Sequence, residues 1–231
     1  YNFPYMPHHS ENIFQSVVVP QDSASCTCFQ HVKSFFVCYT VGIFISKEQT
    51  MYTSHPVIQK TPEQTALYQI FIRNYTKEGT FLSAISRLKE IQNLGCSWVY
   101  ITPIHPIGMQ NRKGTLGSPY AIRDYRAINP ELGTLDDFKQ FVTAVHEAGL
   151  KLMIDIVYNH TSPDSALVQK HPEWFLKTSH NTLGRKCSDW SDVVDFDYFA
   201  PASQPGLWDE LIDTLEYWRL LGVDGFRCDV A

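Results

Sequence analysis

From Ala66 onward, short apolar runs alternate with stretches in which apolar residues recur every three or four positions. Ala66 to Arg73 is rich in aromatic and β-branched residues and reads as a buried strand. Thr80 is placed to cap a helix in which Phe81, Ile85, Leu88, Ile91 and Leu94 share one face, and Gly95 ends it as a left-handed cap residue. Trp98 to Ile101 is a second strand. A second helix opens at Thr134, with Asp137 in the capping-box position, and carries an apolar stripe of Leu135, Phe138, Phe141, Val142, Val145 and Ala148. Leu150 to Val157 follows Gly149 as a third strand. A third helix places Leu207, Leu211, Leu215, Trp218 and Leu221 on one face and stops at Gly222, and Val223 to Val230 is a fourth strand.

Strands that alternate with crossover helices form a parallel sheet. An open doubly wound sheet and a closed eight-unit barrel both accommodate four strands. No Gly-x-Gly-x-x-Gly turn follows the first strand, which removes the main signature of the dinucleotide fold. The long connections, 102–133 and 158–205, both follow strands, whereas helix-to-strand returns are immediate. Barrels that build a site at the strand C-terminal ends show this asymmetry. The expected fold class is therefore α/β, a (β/α)8 TIM barrel represented by its first four strands. A short inserted subdomain is expected after strand three, at about 161–205. A full barrel takes about 250 residues. Residues 51–231 are thus expected to be a truncated catalytic barrel, with strands one and four as open edges.

The first fifty residues do not share this pattern. They hold only five charged side chains (Glu11, Asp22, Lys33, Lys47 and Glu48) but half of the six cysteines (Cys26, Cys28 and Cys38). The apolar run from Phe35 to Ile45 reads as a strand or a signal-peptide core; its late position and the lack of a small-residue cleavage pattern count against the second. Lys47-Glu48 can be encoded by a purine-rich, ribosome-binding-like string just before Met51. Translation is therefore expected to start at Met51, with 1–50 an atypical segment that is not native coding sequence. Cys26 and Cys28 are too close-set for a metal finger and lack a second ligand pair.

Composition narrows the partners. A formal charge of -5 leaves no basic footprint for nucleic acid. The longest apolar run has 11 residues, against the roughly 20 needed to span a bilayer, so no membrane partner is expected. Without a usable signal peptide, a cytoplasmic location is the default expectation.

Candidate chemistry lies where polar residues interrupt apolar strands. Asp155 sits between Ile154 and Ile156, and a lone buried carboxylate is costly unless paired. Arg227 and Asp229 lie two residues apart on strand four, hence on one face. An arginine between two carboxylates would keep both ionised. The arrangement suits a held nucleophile at a barrel mouth and equally a structural network closing the barrel interior. Asn159 and His160 end strand three, where barrel enzymes place site residues; a turn residue and an exposed loop histidine are the plainer readings. Alternation puts Asp155 and Asn159 on one face and His160 on the other, so the chain must bend at 158–160 if Asp155 and His160 are to meet one ligand. Tyr120, in the first long loop, could stack on a sugar ring or pack within the loop. Trp174, Phe175, Trp190 and Tyr198 are expected to be subdomain core rather than sugar platforms.

Four motifs carry a family resemblance. Asp155-Ile-Val-Tyr-Asn-His160 resembles Asp-Val-Val-x-Asn-His at the end of strand three, and Gly225-Phe-Arg-Cys-Asp229 resembles Gly-Phe-Arg-x-Asp at strand four. Ser118-Pro-Tyr with Asp124-Tyr and Asn129-Pro-Glu-Leu-Gly133 resembles the loop after strand two, and Val193-Val-Asp-Phe-Asp197 the motif in the inserted domain. In order and on the right elements, they are similar to the α-amylase family, glycoside hydrolase family 13, over 60–231.

The resemblance implies a retaining attack on α-glucosidic bonds of α-glucans or malto-oligosaccharides. It makes Asp229 the nucleophile, Arg227 its holder, which lowers its pKa, and Asp155 the support of Arg227. His160 would hydrogen-bond the sugar at the cleavage position and Tyr120 would stack beneath it. Asn159 and Asp195 match two ligands of a structural Ca²⁺, and a third would lie past Ala231. The acid/base, a Glu at the end of strand five, is likewise expected beyond residue 231, which makes the chain on its own an inactive fragment. A transglycosylase or glucoside phosphorylase on the same fold, and a non-catalytic member, are the alternatives.

Overall fold

The computed structural model describes residues 65–230 in full and the backbone of two earlier strands. The expected start at Met51 and the pair Cys26 and Cys28 lie outside the described residues. In chain order the elements are β1 (Phe35–Tyr39), β2 (Gly42–Ser46), β3 (Leu67–Ile70), α1 (Ile72–Tyr75), α2 (Phe81–Ile85), α3 (Leu88–Asn93) and β4 (Trp98–Ile101). After the first long loop come α4 (Leu135–Glu147), β5 (Lys151–Val157), β6 (His160–Thr161), α5 (Ala166–Lys170), β7 (Val194–Asp195), α6 (Gly206–Leu220) and β8 (Gly225–Asp229).

The main sheet runs β1-β2-β8-β5-β4-β3. β3, β4, β5 and β8 are mutually parallel, with Ile70 opposite Ile101, Ile101 opposite Ile154, and Asp155 opposite Arg227. This is a run of four consecutive barrel strands with their crossover helices. The expectation of an open edge at strand four is corrected. β1 and β2 form an antiparallel hairpin, and β2 joins β8 through the pair Ile43 and Phe226. An unpaired strand edge offers a row of N–H and C=O groups that another extended segment can satisfy.

Two further boundaries differ. The run from Ala66 to Arg73 is strand only to Ile70, after which Thr102 N donates to Ile70 O and the chain turns into α1. Ile72 is buried from that helix, and an apolar run alone does not distinguish strand from helix. The helix read from Phe81 to Leu94 is broken after Ile85. Ser86 Oγ bonds back to Ser83 O at 2.9 Å, a local competitor of the helical ladder. Phe81, Leu88 and Ile91 keep the buried stripe, but Leu94 is 67% exposed. In contrast, α4 has the expected capping box, Thr134 Oγ1 accepting from Asp137 N while Asp137 Oδ2 accepts from Thr134 N.

Strand alternation sorts the residues into two environments. Val99, Ile101, Leu152, Ile154, Ile156 and Phe226 face the helices, in one core with Phe138, Phe141, Val145 and Trp218. The alternate positions face the barrel axis: Trp98, Tyr100 and Met153 form a small apolar floor, and Asp155, Arg227 and Asp229 lie toward the C-terminal ends above it. Beyond β5 the inserted segment builds its own core from Leu167, Val168, Trp174, Phe175, Val194 and Phe196, which continues into Tyr125, Val157 and Leu207.

Candidate active site

Parallel register places Asp155 of β5 directly beside Arg227 of β8, with Asp229 one step further toward the strand ends. Arg227 Nη1 donates to Asp155 Oδ1 and Oδ2 at 3.2 and 3.1 Å, and to Asp229 Oδ1 at 2.6 Å. Asp155 is fully buried, whereas the Asp229 side chain retains 15% of its exposure and can be reached from the open end. Two tyrosines complete the environment. Tyr100 Oη donates to Asp155 Oδ2 at 2.5 Å, and Tyr120 Oη donates to the same oxygen at 3.1 Å.

The electrostatics differ from a simple ion-paired network. Burial pushes the Asp155 carboxyl up to about 6, against the lowering pull of Tyr100 and Arg227. Arg227 and Tyr100 offset only part of the burial cost, so Asp155 is ionised at neutral pH, as expected, but takes up a proton on mild acidification. Burial followed by the Asp155 charge raises both phenols, Tyr120 to about 12 and Tyr100 far above its ordinary value, so both act as hydrogen-bond donors at neutral pH.

The bend required at 158–160 is present. β5 ends at Val157, and His160 starts β6, paired antiparallel with Asp195 of β7. Tyr125 secures the bend by donating its hydroxyl to Val157 O and His160 O at 2.7 and 2.9 Å. His160 is buried, with Asn159 Nδ2 3.0 Å from its Nδ1, rather than an exposed loop residue. Burial lowers the His160 pKa, against the raising influence of Asp229, Asp195 and Asp192. Asn159 O accepts from Phe196 N, so the bend and the inserted motif are tied together.

Asp195 is one of the two residues expected at the cation position. It is 2% exposed; Oδ2 accepts from Lys186 N at 3.0 Å, but Oδ1 is buried without a hydrogen-bond partner. An orphaned carboxylate oxygen beside an asparagine at the joint between β5 and the insertion fits a hard cation that takes oxygen ligands. Among the described residues, no group of three His, Cys, Asp or Glu could hold a metal by itself.

Asp155, Arg227, Asp229 and Tyr120 thus converge through direct contacts, while His160, Asn159 and Asp195 form a second cluster beside them. Trp174 and Phe175 are core as expected, and Tyr198 packs against the same cluster. Trp190 is not core: it is 38% exposed, with its ring 5.4 Å from that of His160. Lys113 braces its loop by donating to Asp189 O at 3.0 Å and pairing with Asp192 at 3.1 Å. Tyr100 carries no mark in the apolar pattern of β4, although its position on the axial parity is a usable signal.

Comparison with known proteins shows the family. The family model described as "Alpha amylase, catalytic domain" matches residues 60–231. An α-1,4-glucan:maltose-1-phosphate maltosyltransferase from Myxococcus xanthus is 37% identical over 190 residues, covering 71% of this chain and 28% of the relative. The chain therefore spans little more than a quarter of that protein's length. Among solved structures, an α-amylase from Lactobacillus plantarum is 53% identical with a TM-score of 0.69, over 73% of this chain and 39% of that one. A noncanonic maltogenic α-amylase from Thermotoga neapolitana is 45% identical with a TM-score of 0.68, over 74% and 40% respectively.

Proposed function

We propose, from the premise that this chain belongs to the α-amylase catalytic-domain family, that it carries the nucleophile side of a retaining site for α-glucosidic bonds. The observation that carries the reading is Arg227 Nη1 bridging Asp155 and Asp229 at the C-terminal ends of adjacent parallel strands. Asp229, the more accessible carboxylate, attacks the anomeric carbon of the bound sugar as the bond to the leaving oxygen breaks. A β-linked glycosyl ester forms, and the leaving oxygen takes a proton from a second carboxyl, which retaining enzymes place about 5–5.5 Å from the nucleophile. We place that carboxyl on a fifth strand, beyond the four parallel strands described. Water attacking the ester then completes hydrolysis and regenerates Asp229. Arg227 orients the nucleophile, Asp155 holds Arg227, Tyr120 lies under the sugar, and His160 donates to it.

The substrate class is α-glucans, with malto-oligosaccharides the preferred size because the insertion is short. Asn159 and Asp195 would supply oxygen ligands to a Ca²⁺ whose contribution is structural, locking the insertion onto the bend at 158–160. Among the described residues, no helix is long and apolar enough to cross a membrane.

A transferase is the second reading, supported by the maltosyltransferase names of the Myxococcus xanthus relative and a 36% identical one from Pseudomonas aeruginosa. There a sugar rather than water accepts the glycosyl group. The deciding experiment uses the full-length protein with maltotriose. Reducing-sugar release without longer products supports hydrolysis, and chain elongation supports transfer. In either case, incubation with 5-fluoro-α-glucosyl fluoride, whose glycosyl ester is slow to break down, should add one fluorohexosyl mass to the peptide containing Asp229. Asp229→Asn should abolish the label and reduce turnover by at least ~10³-fold. Undiminished turnover in that variant would refute the assignment.

A further inference from the structure

Tyr100 is 6% exposed on the axial side of β4, in a small apolar cluster with Trp98 and Met153. That packing requires a ring but no hydroxyl. The hydroxyl nevertheless makes the shortest hydrogen bond to Asp155, 2.5 Å to Oδ2. Arg227 reaches both Asp155 oxygens with one nitrogen at 3.1–3.2 Å, and Tyr120 reaches Oδ2 at 3.1 Å from the long loop. Of the three donors, Tyr100 alone sits on a strand hydrogen-bonded to parallel neighbours on both sides, β3 and β5.

We propose that Tyr100 is a positioning residue for the nucleophile: its hydroxyl clamps Asp155, Asp155 fixes Arg227 Nη1, and Arg227 holds Asp229 for attack. The chain of contacts is continuous, from Tyr100 Oη through the Asp155 carboxylate and Arg227 Nη1 to Asp229 Oδ1. Tyr120 cannot substitute for it, because Tyr120 comes from the loop that must also accommodate the sugar.

The clamp has a chemical signature. A hydroxyl donated to a carboxylate stabilises its charged form, so losing it makes the carboxyl keep its proton to higher pH. The charged and titratable groups facing Asp155 are Tyr100 from β4, Tyr120 from the following loop, and Arg227 and Asp229 from β8. A protonated Asp155 no longer anchors Arg227, which loosens the hold on Asp229. The loss of catalysis on acidification should therefore set in at a higher pH when the Tyr100 hydroxyl is removed.

This role rests on the glycosidase reading, and the experiment separates the two. The full-length protein is compared with Tyr100→Phe, which keeps the ring, and with Tyr125→Phe, whose lost hydroxyl serves the carbonyls of Val157 and His160 and lies beside Thr161 rather than Asp155. The acidic limb of kcat/KM for maltotriose should move up by about one pH unit in Tyr100→Phe, the order carried by a hydrogen bond to a charged group. It should stay in place in Tyr125→Phe. The pH dependence of the thermal midpoint between pH 5 and 8 reads the same shift without catalysis. An acidic limb in Tyr100→Phe matching wild type, or an equal shift in Tyr125→Phe, would overturn the role of Tyr100 while Asp229→Asn remains inactive. Full turnover in Asp229→Asn would overturn the glycosidase reading and the role of Tyr100 with it.

Discussion

Replacing Asp155 with asparagine should separate what this carboxyl does for the fold from what it does for the site. Asp155 is fully buried, and burial raises its pKa from 3.8 to about 6 despite the opposing pull of Tyr100 and Arg227. Two pH units correspond to about 3 kcal/mol. Because the folded value lies above the unfolded one, the native state holds a proton between about pH 4 and 6 that the unfolded chain has already released. The stability contributed by the neutral acid is fully present below about pH 4 and lost as pH rises through about 6. The amide introduced by Asp155→Asn has no proton to lose, so the stability difference between wild type and variant should move by about 3 kcal/mol toward the variant from pH 4 to pH 7. Urea denaturation of both proteins at these two pH values measures it, since titrations away from Asp155 cancel in the difference. Near pH 7 the variant should be about as stable as wild type or more so, yet turn over poorly because an amide turns N–H donors toward Arg227. A difference that does not change with pH, or that moves toward wild type as pH rises, would mean that the partners outweigh burial and that the electrostatic account is wrong.

Two other outcomes follow from separate parts of the structure. Thr134→Ala removes one arm of the capping box at the start of α4 and should cost about 1 kcal/mol in denaturation midpoint analysis without altering the pH profile of activity. A chelator should lower the thermal midpoint of the full-length protein, added Ca²⁺ should restore it, and Asp195→Asn should abolish the response, because the orphaned Oδ1 of Asp195 is the oxygen a cation would satisfy.

The helices α4 and α6 and three of the four parallel strands were legible because the helices carry apolar stripes and the strands are short apolar runs set off by turns. Glycines at 95, 149 and 222, all with positive φ, punctuate the helix-to-strand returns. Asp155 was conspicuous because a carboxylate inside Ile-Asp-Ile needs a partner, and strand parity named Arg227 and Asp229 as that partner. Sequence alone could not weigh burial against Arg227, so the upward shift of the Asp155 carboxyl to about 6 is visible only in the structure. The first strand was overextended because Ile72 is buried from a short helix, and burial without periodicity does not identify the element. The β1–β2 hairpin was half-legible: the apolar run marked extended chain, but pairing with β8 is a long-range choice that local pattern does not contain.

Tyr100 shows why the remaining part of the site escaped. In the run Trp98-Val-Tyr-Ile101 every residue is buried, so tyrosine reads as one more strand-forming aromatic. Its hydroxyl gains a role only when β4 and β5 pair in the register that sets Tyr100 beside Met153 and brings its Oη up to Asp155. Trp190 escaped for the opposite reason: its contact with His160 depends on a loop shaped by Lys113, 77 positions earlier in the chain. Strand parity reveals residues that break an apolar pattern. A residue that fits the pattern and carries one extra polar atom is revealed only by the register of its neighbours. Applied to β3, the same parity puts Gln69, opposite Tyr100, on the axial face with Asp155 and Arg227. The network around Asp229 is thus built by polar atoms added to the inner faces of strands whose outer faces pack against the helices with largely apolar side chains.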